Sequence, residues 1–244
     1  MRNLRGQAAI VTGGATRLGR ALAERLAEEG MDVCIHYGGS SAAAVETVAA
    51  LRRRGIRATS VQADLREAMT SAEQIVVHAV REFGRVDVLV NSAAIFERGR
   101  LSDTDGDNWD RHLDINLKAP YCLSRAFAAQ LDGSRPTHIV NIVDWRALRP
   151  GVGHLAYTVS KAGLVAMTTI LAQELAPQVQ VNAIAPGAIL PAPGASPAEF
   201  AALGRSNPLQ RTGNPGEIAD ALVYLLKSEY VTGEILHVTG GQQL

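Results

Sequence analysis

The chain has 244 residues, 47% hydrophobic and 20% charged, which supplies one sizeable core and excludes a disordered chain. Lys plus Arg and Asp plus Glu both number 24, and this zero net charge argues against a nucleic-acid surface or a polybasic membrane contact. The two cysteines, Cys34 and Cys122, are too few for a disulfide framework or a cysteine-rich zinc site. The start lacks a secretory leader and no apolar run approaches the roughly 18 residues of a membrane helix, so a cytoplasmic protein without a metal is expected.

Short apolar runs alternate with amphipathic ones along the whole chain. Residues 8–12 read as a buried strand, and 18–29 as a helix with Leu18, Ala21, Leu22 and Leu26 on one face. Strands follow at 32–37 and 59–62, with a helix at 42–54 between them that Gly55 stops. The next helix spans 71–83 and the next strand 86–90. Residues 109–130 are helical, with a kink or break expected at Pro120. Beyond them come a strand at 138–143, a helix at 157–175 and a strand at 180–184. The last helix, 217–226, has Asn214 as its cap and Pro215 at its first position, and a strand at 235–238 ends the series. Seven strands alternating with helices imply one α/β domain over 1–244, a Rossmann-type doubly wound parallel sheet with helices on both faces. The proline- and glycine-rich stretch 186–208 breaks this pattern just after a strand end, where such sheets bind ligands, and is read as a substrate lid with a short helix near 198–203.

Gly13, Gly14 and Gly19 lie in the turn between the first strand and the first helix. Glycines there let backbone approach a pyrophosphate, and the helix N-terminus offers free N–H groups to the anion. The second strand ends Ile35-His36-Tyr37-Gly38-Gly39-Ser40-Ser41, without the carboxylate that binds a ribose 2′-hydroxyl in NAD enzymes. NADPH is therefore the cofactor expected, its 2′-phosphate meeting Arg17, His36 and serine hydroxyls. Tyr157 and Lys161, four apart, project from one face of a helix. A phenol near its ordinary pKa of about 10 is a poor catalyst at neutral pH, and a nearby ammonium is expected to lower that value.

Thr12-Gly13-Gly14-Ala15-Thr16-Arg17-Leu18-Gly19 resembles the Thr-Gly-x-x-x-Gly-x-Gly turn of the short-chain dehydrogenase/reductases, with Arg17 in place of the middle glycine. Asp64-Leu65, Asn91-Ser92-Ala93-Ala94, Tyr157-x-x-x-Lys161 and Pro186-Gly187 match further motifs of that family in order, and the resemblance spans nearly the whole chain. It implies that Asp64 and Leu65 meet the adenine and that Gly13, Leu18, Gly19, Asn91, Ala93, Pro186 and Gly187 belong to the cofactor site. It also implies that Lys161 holds the nicotinamide ribose and that Asn116 supports a water relay to it. Thirteen residues before Tyr157, where most members carry a serine, stands Asp144. Asp144, Arg17, His36-Tyr37-x-x-Ser40 and Phe96 together resemble the pteridine reductases, in which an aromatic at the place of Phe96 sandwiches the pterin against nicotinamide.

A carboxyl group beside Tyr157 suits a basic ring nitrogen and repels the oxyanion of a ketone reduction. The resemblance thus implies reduction of a dihydropterin or dihydrofolate, with Asp144, Tyr157, Lys161 and Asn116 as catalytic residues and Phe96, Asp144 and Tyr157 against the substrate. It also implies a homotetramer, with the Tyr157 helix at an interface. Two alternatives stay open: a carbonyl reductase of 3-oxoacyl thioesters, which Asp144 opposes, and a sensor that binds cofactor without catalysis, which Tyr157, Lys161 and Asn116 oppose.

Overall fold

Uncharged runs of Val, Ile and Ala pair into a sheet that must be covered on both faces. The computed structural model describes residues 2–192 and 194–244, so that Pro193 of the lid stretch lies outside the described residues. Its strands are β1 (Ala8–Val11), β2 (Asp32–Tyr37), β3 (Ala58–Gln62), β4 (Val88–Asn91), β5 (Thr137–Ile142), β6 (Val179–Pro186) and β7 (Ile235–Val238). Every pairing is parallel, and the order across the sheet is β3-β2-β1-β4-β5-β6-β7. The chain first builds outward from β1 through β2 and β3, then returns to β1's other side with β4. The connections leaving β1 and β4 therefore diverge and open a crevice at the carboxyl end of the sheet.

The helices are α1 (Arg17–Glu28), α2 (Ser41–Arg52), α3 (Ala68–Phe83), α4 (Gly106–Leu113), α5 (Ala119–Ala129), α6 (Leu155–Glu174), α7 (Pro197–Arg205) and α8 (Pro215–Lys227). Leu22 and Leu26 of α1, Leu51 of α2 and Leu222 and Leu225 of α8 fill the core on one face. Ile75 of α3 and Leu123 and Phe127 of α5 fill the other. Each such side chain contributes about 1.5–3 kcal/mol when fully buried, which makes the sheet the common floor of two cores. At its amino edge the buried Asp87 accepts hydrogen bonds from the Ala8 N–H at 2.9 Å and from Arg135 at 2.7 Å, tying β1 and the start of β5 to β4.

Three differences from the sequence reading have local causes. Residues 109–130 neither break nor kink simply at Pro120: α4 runs into a π-helical stretch, Asp114–Lys118, which runs into α5. Proline sits without strain in the first turn of α5, and the widened turn just before it absorbs the missing N–H. The lid stretch carries α7, slightly longer than expected because Ser196 and Glu199 form a capping box in front of it. α6 does reach the length and hydropathy of a membrane span, with a mean hydropathy of 1.4 over 18 residues. Its inward side bears Tyr157, Ser160, Lys161 and Thr168, all buried, as in a helix packed on a sheet. The Asn214 cap of α8 is present, accepting from the Gly216 N–H at 2.9 Å with Glu217 reaching back to the Asn214 N–H.

Candidate active site

The crevice holds a cavity of about 950 Å³ lined by the β1–α1 turn, the end of β2, residues 62–65 and residues 92–95. Glycine is needed at two places in the turn: Gly13 has φ +63°, and a Cβ on Gly19 would run into the Gly13 carbonyl. Arg17 itself is left-handed, with φ 52°, which explains why a glycine usually occupies its place. The Arg17 guanidinium donates to the Pro191 carbonyl at 2.7 Å, joining the β1–α1 turn to the stretch 186–208 across 174 residues of sequence. Thr12 Oγ1 accepts from the N–H groups of Ser92 and Ala93, both at 3.0 Å, and so locks the segment after β4 to the end of β1.

Gly13, Arg17, Leu18, Gly19, His36, Ser40, Asp64, Leu65 and Ala93 all stand on the cavity wall. Several do not offer the group the sequence reading assigned to them. His36 is buried, accepts from the Gly13 N–H at Nδ1 (3.3 Å) and meets the Ala63 carbonyl at Nε2 (3.1 Å). That pairing requires the neutral Nε2–H tautomer, and burial holds its pKa below the usual histidine value, so His36 braces the turn without presenting a cation. Tyr37 packs against the first core instead of facing the cavity. Asn91 is also turned inward, donating to Asn141 Oδ1 at 2.8 Å, and Asn141 donates on to Thr168. The Asp64 carboxylate is gripped by Arg66 at 2.6 Å, and those hydrogen bonds hold its pKa below the ordinary value. Ser40 remains open at the start of α2, its hydroxyl unused by the helix. Pro186 and Gly187 close β6 beside the C-terminal segment, where a Cβ on Gly187 would come within 2.8 Å of Thr239 Cα.

These surfaces fit a dinucleotide. The turn, the α1 N-terminus and the open Gly38-Gly39-Ser40 segment offer N–H and hydroxyl donors to phosphates, and Leu65 and Ile95 offer apolar faces to a base. Among the described residues no group of three His, Cys, Asp or Glu side chains is arranged to hold a metal ion.

Beyond the cavity, the ends of β5 and α6 assemble the polar group. Tyr157 Oη donates to Asp144 Oδ2 at 2.9 Å, and Lys161 Nζ donates to the Ile142 carbonyl at 2.7 Å. Tyr157 and Lys161 are 6% and 2% exposed. Burial pushes the phenol well above the usual tyrosine range, and Asp144 adds to this through its charge and its hydrogen bond. The expected lowering by Lys161 is overturned: the ammonium points at Ile142, and the charge nearest the phenol is negative. Burial lowers the Lys161 pKa from 10.5 to about 8, with Asp144 opposing. Asn116, buried in the π-helical stretch, exchanges hydrogen bonds with the backbone of Ile95 (2.9 and 3.0 Å) and donates to Ser160 Oγ at 3.1 Å. Its side chain thus clamps the segment that leads to Phe96, and its hydrogen bonds go to none of the Lys161 atoms.

Phe96 lies against this group, meeting Tyr157 edge-on at 4.7 Å between ring centroids. One of its faces is already covered by His154, stacked at 4.4 Å and 9° between planes. His154 and Arg146 escaped the sequence reading; the only sign of them was position, three residues before Tyr157 and two after Asp144.

A family model described as enoyl-(acyl carrier protein) reductase matches residues 13–243. The 3-oxoacyl-[acyl-carrier-protein] reductase FabG of Staphylococcus epidermidis is 31% identical over 243 residues, covering 98% of this chain and 99% of that protein. Among solved structures, FolM alternative dihydrofolate reductase 1 from Brucella canis, complexed with NADP, superposes with a TM-score of 0.94 at 33% identity, covering 100% of this chain and 96% of that one. A blue fluorescent protein from a metagenomic library, in complex with NADPH, superposes with a TM-score of 0.90 at 33% identity, covering 98% of this chain and 99% of that one. With the seven-stranded parallel sheet, the glycine turn and the Tyr157–Lys161 pair in place, the chain belongs to the short-chain dehydrogenase/reductase family.

Proposed function

We propose that this oxidoreductase is NADPH-dependent and reduces a C=N bond of a dihydropterin or dihydrofolate. The observation that carries this reading is the hydrogen bond from Tyr157 Oη to Asp144 Oδ2 at 2.9 Å. A carboxylate there opposes the oxyanion that ketone reduction creates, and it favours protonation of a ring nitrogen. The high pKa of Tyr157 keeps its proton in place at neutral pH, so the phenol serves as donor rather than as phenolate base. The NADP and NADPH in the related structures support the cofactor assignment, as does the β2 end, which carries no carboxylate. In this reading the β1–α1 turn, Arg17 and Ser40 hold the phosphates, Asp64 and Leu65 flank the base, and Lys161 reaches the nicotinamide end. The bound cofactor supplies the hydride. Phe96 and Asp144 orient the substrate ring, and Tyr157 delivers the proton.

The FabG relative favours a second reading, a 3-oxoacyl-thioester reductase. NADPH-consumption assays with dihydrobiopterin, dihydromonapterin, dihydrofolate and acetoacetyl thioester separate the two. The proposal expects a higher kcat/KM for a pterin or folate, and preference for the thioester would overturn it. Exposed Val159 and Ile170 on α6 and Tyr121 on α5 support a homotetramer built through these helices, which sedimentation measurements check.

A further inference from the structure

Asp144 has two oxygens and two polar neighbours. Its Oδ2 takes the Tyr157 hydroxyl at 2.9 Å, while Oδ1 takes the Arg146 backbone N–H at 2.8 Å and the Arg146 Nη1 at 3.4 Å. The same guanidinium lies 5.8 Å from the centroid of the Phe96 ring and 5.0 Å from that of Trp145. Phe96 in turn meets Tyr157 edge-on and is backed by His154. One cation therefore touches the carboxylate beside the phenol and the aromatic wall beside it. Arginine suits both partners, because its planar, delocalised charge can fork onto a carboxylate and lie over a ring, whereas an ammonium is a compact, strongly hydrated point charge. The Asp144 side chain is 15% exposed, and without the guanidinium only the backbone N–H of residue 146 still holds its Oδ1, so that Oδ2 loses part of what keeps it on the Tyr157 hydroxyl.

Taking Asp144 and Tyr157 as the proton-handling pair proposed above, we infer that Arg146 is a positioning residue for the reduction. It holds Asp144 in the orientation that meets Tyr157 and seats Phe96 as the wall of the substrate cleft. Arg146 acts through these two side chains and touches no reacting atom. Its effect therefore depends on theirs.

The test is a double-mutant cycle: Arg146→Met and Arg146→Lys, each alone and combined with Asp144→Asn. Turnover is read on whichever of dihydrobiopterin, dihydrofolate and acetoacetyl thioester the wild type reduces fastest, and NADPH affinity by fluorescence titration. Arg146→Met should lower kcat about tenfold and raise substrate KM several-fold, with NADPH Kd within about twofold of wild type. Arg146→Lys should recover much of kcat and less of KM, since it restores charge but not the planar contact with Phe96. In the Asp144→Asn background, Arg146→Met should cost no more than about a further twofold in kcat. Equal losses in both backgrounds, or an unchanged kcat in Arg146→Met, would overturn the inference. Turnover of the thioester alone would overturn the pterin reading while leaving the cycle readable. Absence of turnover on all three would overturn the proton-handling pair and the role of Arg146 with it.

Discussion

Lys161→Met should make the cofactor-free protein more stable at neutral pH while nearly abolishing turnover. The lysine is buried, and its pKa falls from 10.5 to about 8 on folding because the ammonium loses its hydration. Below pH 8 both folded and unfolded chains carry the proton, and the folded state bears the whole cost of burying the charge. Between about 8 and 10.5 the folded chain releases the proton first, the unfolded chain binds more protons, and stability rises with pH. At about 1.4 kcal/mol per pH unit, the drop corresponds to roughly 3 kcal/mol of buried-charge cost at pH 7. Methionine removes that cost but leaves the Ile142 carbonyl without the donor it has at 2.7 Å, a loss of about 1 kcal/mol. The variant should therefore be about 2 kcal/mol more stable at pH 7, roughly 5 °C in melting midpoint. Chemical denaturation of both proteins at pH 7 and 9.5 measures this, with the gap shrinking toward zero at the higher pH. A variant less stable than wild type at pH 7, or a gap that does not change with pH, would refute the reasoning.

Tyr157→Phe removes only the hydroxyl, so turnover should fall by about 10²-fold or more while NADPH affinity, followed by fluorescence, stays nearly intact. Asp144→Ser supplies the neutral donor a ketone needs; dihydropterin reduction should drop by at least about tenfold and reduction of simple ketones should rise, as measured by kcat/KM on both substrates. Arg17→Gly removes the cation and also the left-handed side-chain strain, so NADPH should weaken more than NADH in titrations while the melting midpoint does not fall. Asp87→Ala takes the acceptor from the buried Ala8 N–H and the partner from Arg135 and Arg85, which both keep access to water; denaturant titration should show a loss of about 1–3 kcal/mol, with kcat of the folded enzyme unchanged.

Most features that depend on neighbours along the chain were legible in the sequence. Alternating apolar runs and amphipathic stretches are visible because a buried parallel strand tolerates no charge and a surface helix repeats every 3.6 residues. The β1–α1 turn was legible because left-handed backbone and close approach demand glycine at Gly13 and Gly19. The cap of α8 was legible because Asn214 and Glu217 satisfy each other's local N–H groups, and Tyr157 and Lys161 declared their shared face through their spacing of four. Pairings between distant segments, and the solvation of each polar group, were decided only when the fold closed. Nothing near Arg17 in sequence points to Pro191, and nothing near Asn116 points to Ile95, yet those contacts join the stretch after β6 to the β1–α1 turn and helix to loop. Spacing alone set Lys161 to lower the Tyr157 pKa. The folded protein does the reverse, because removal of water and the nearest charge govern a buried phenol, and that charge belongs to Asp144.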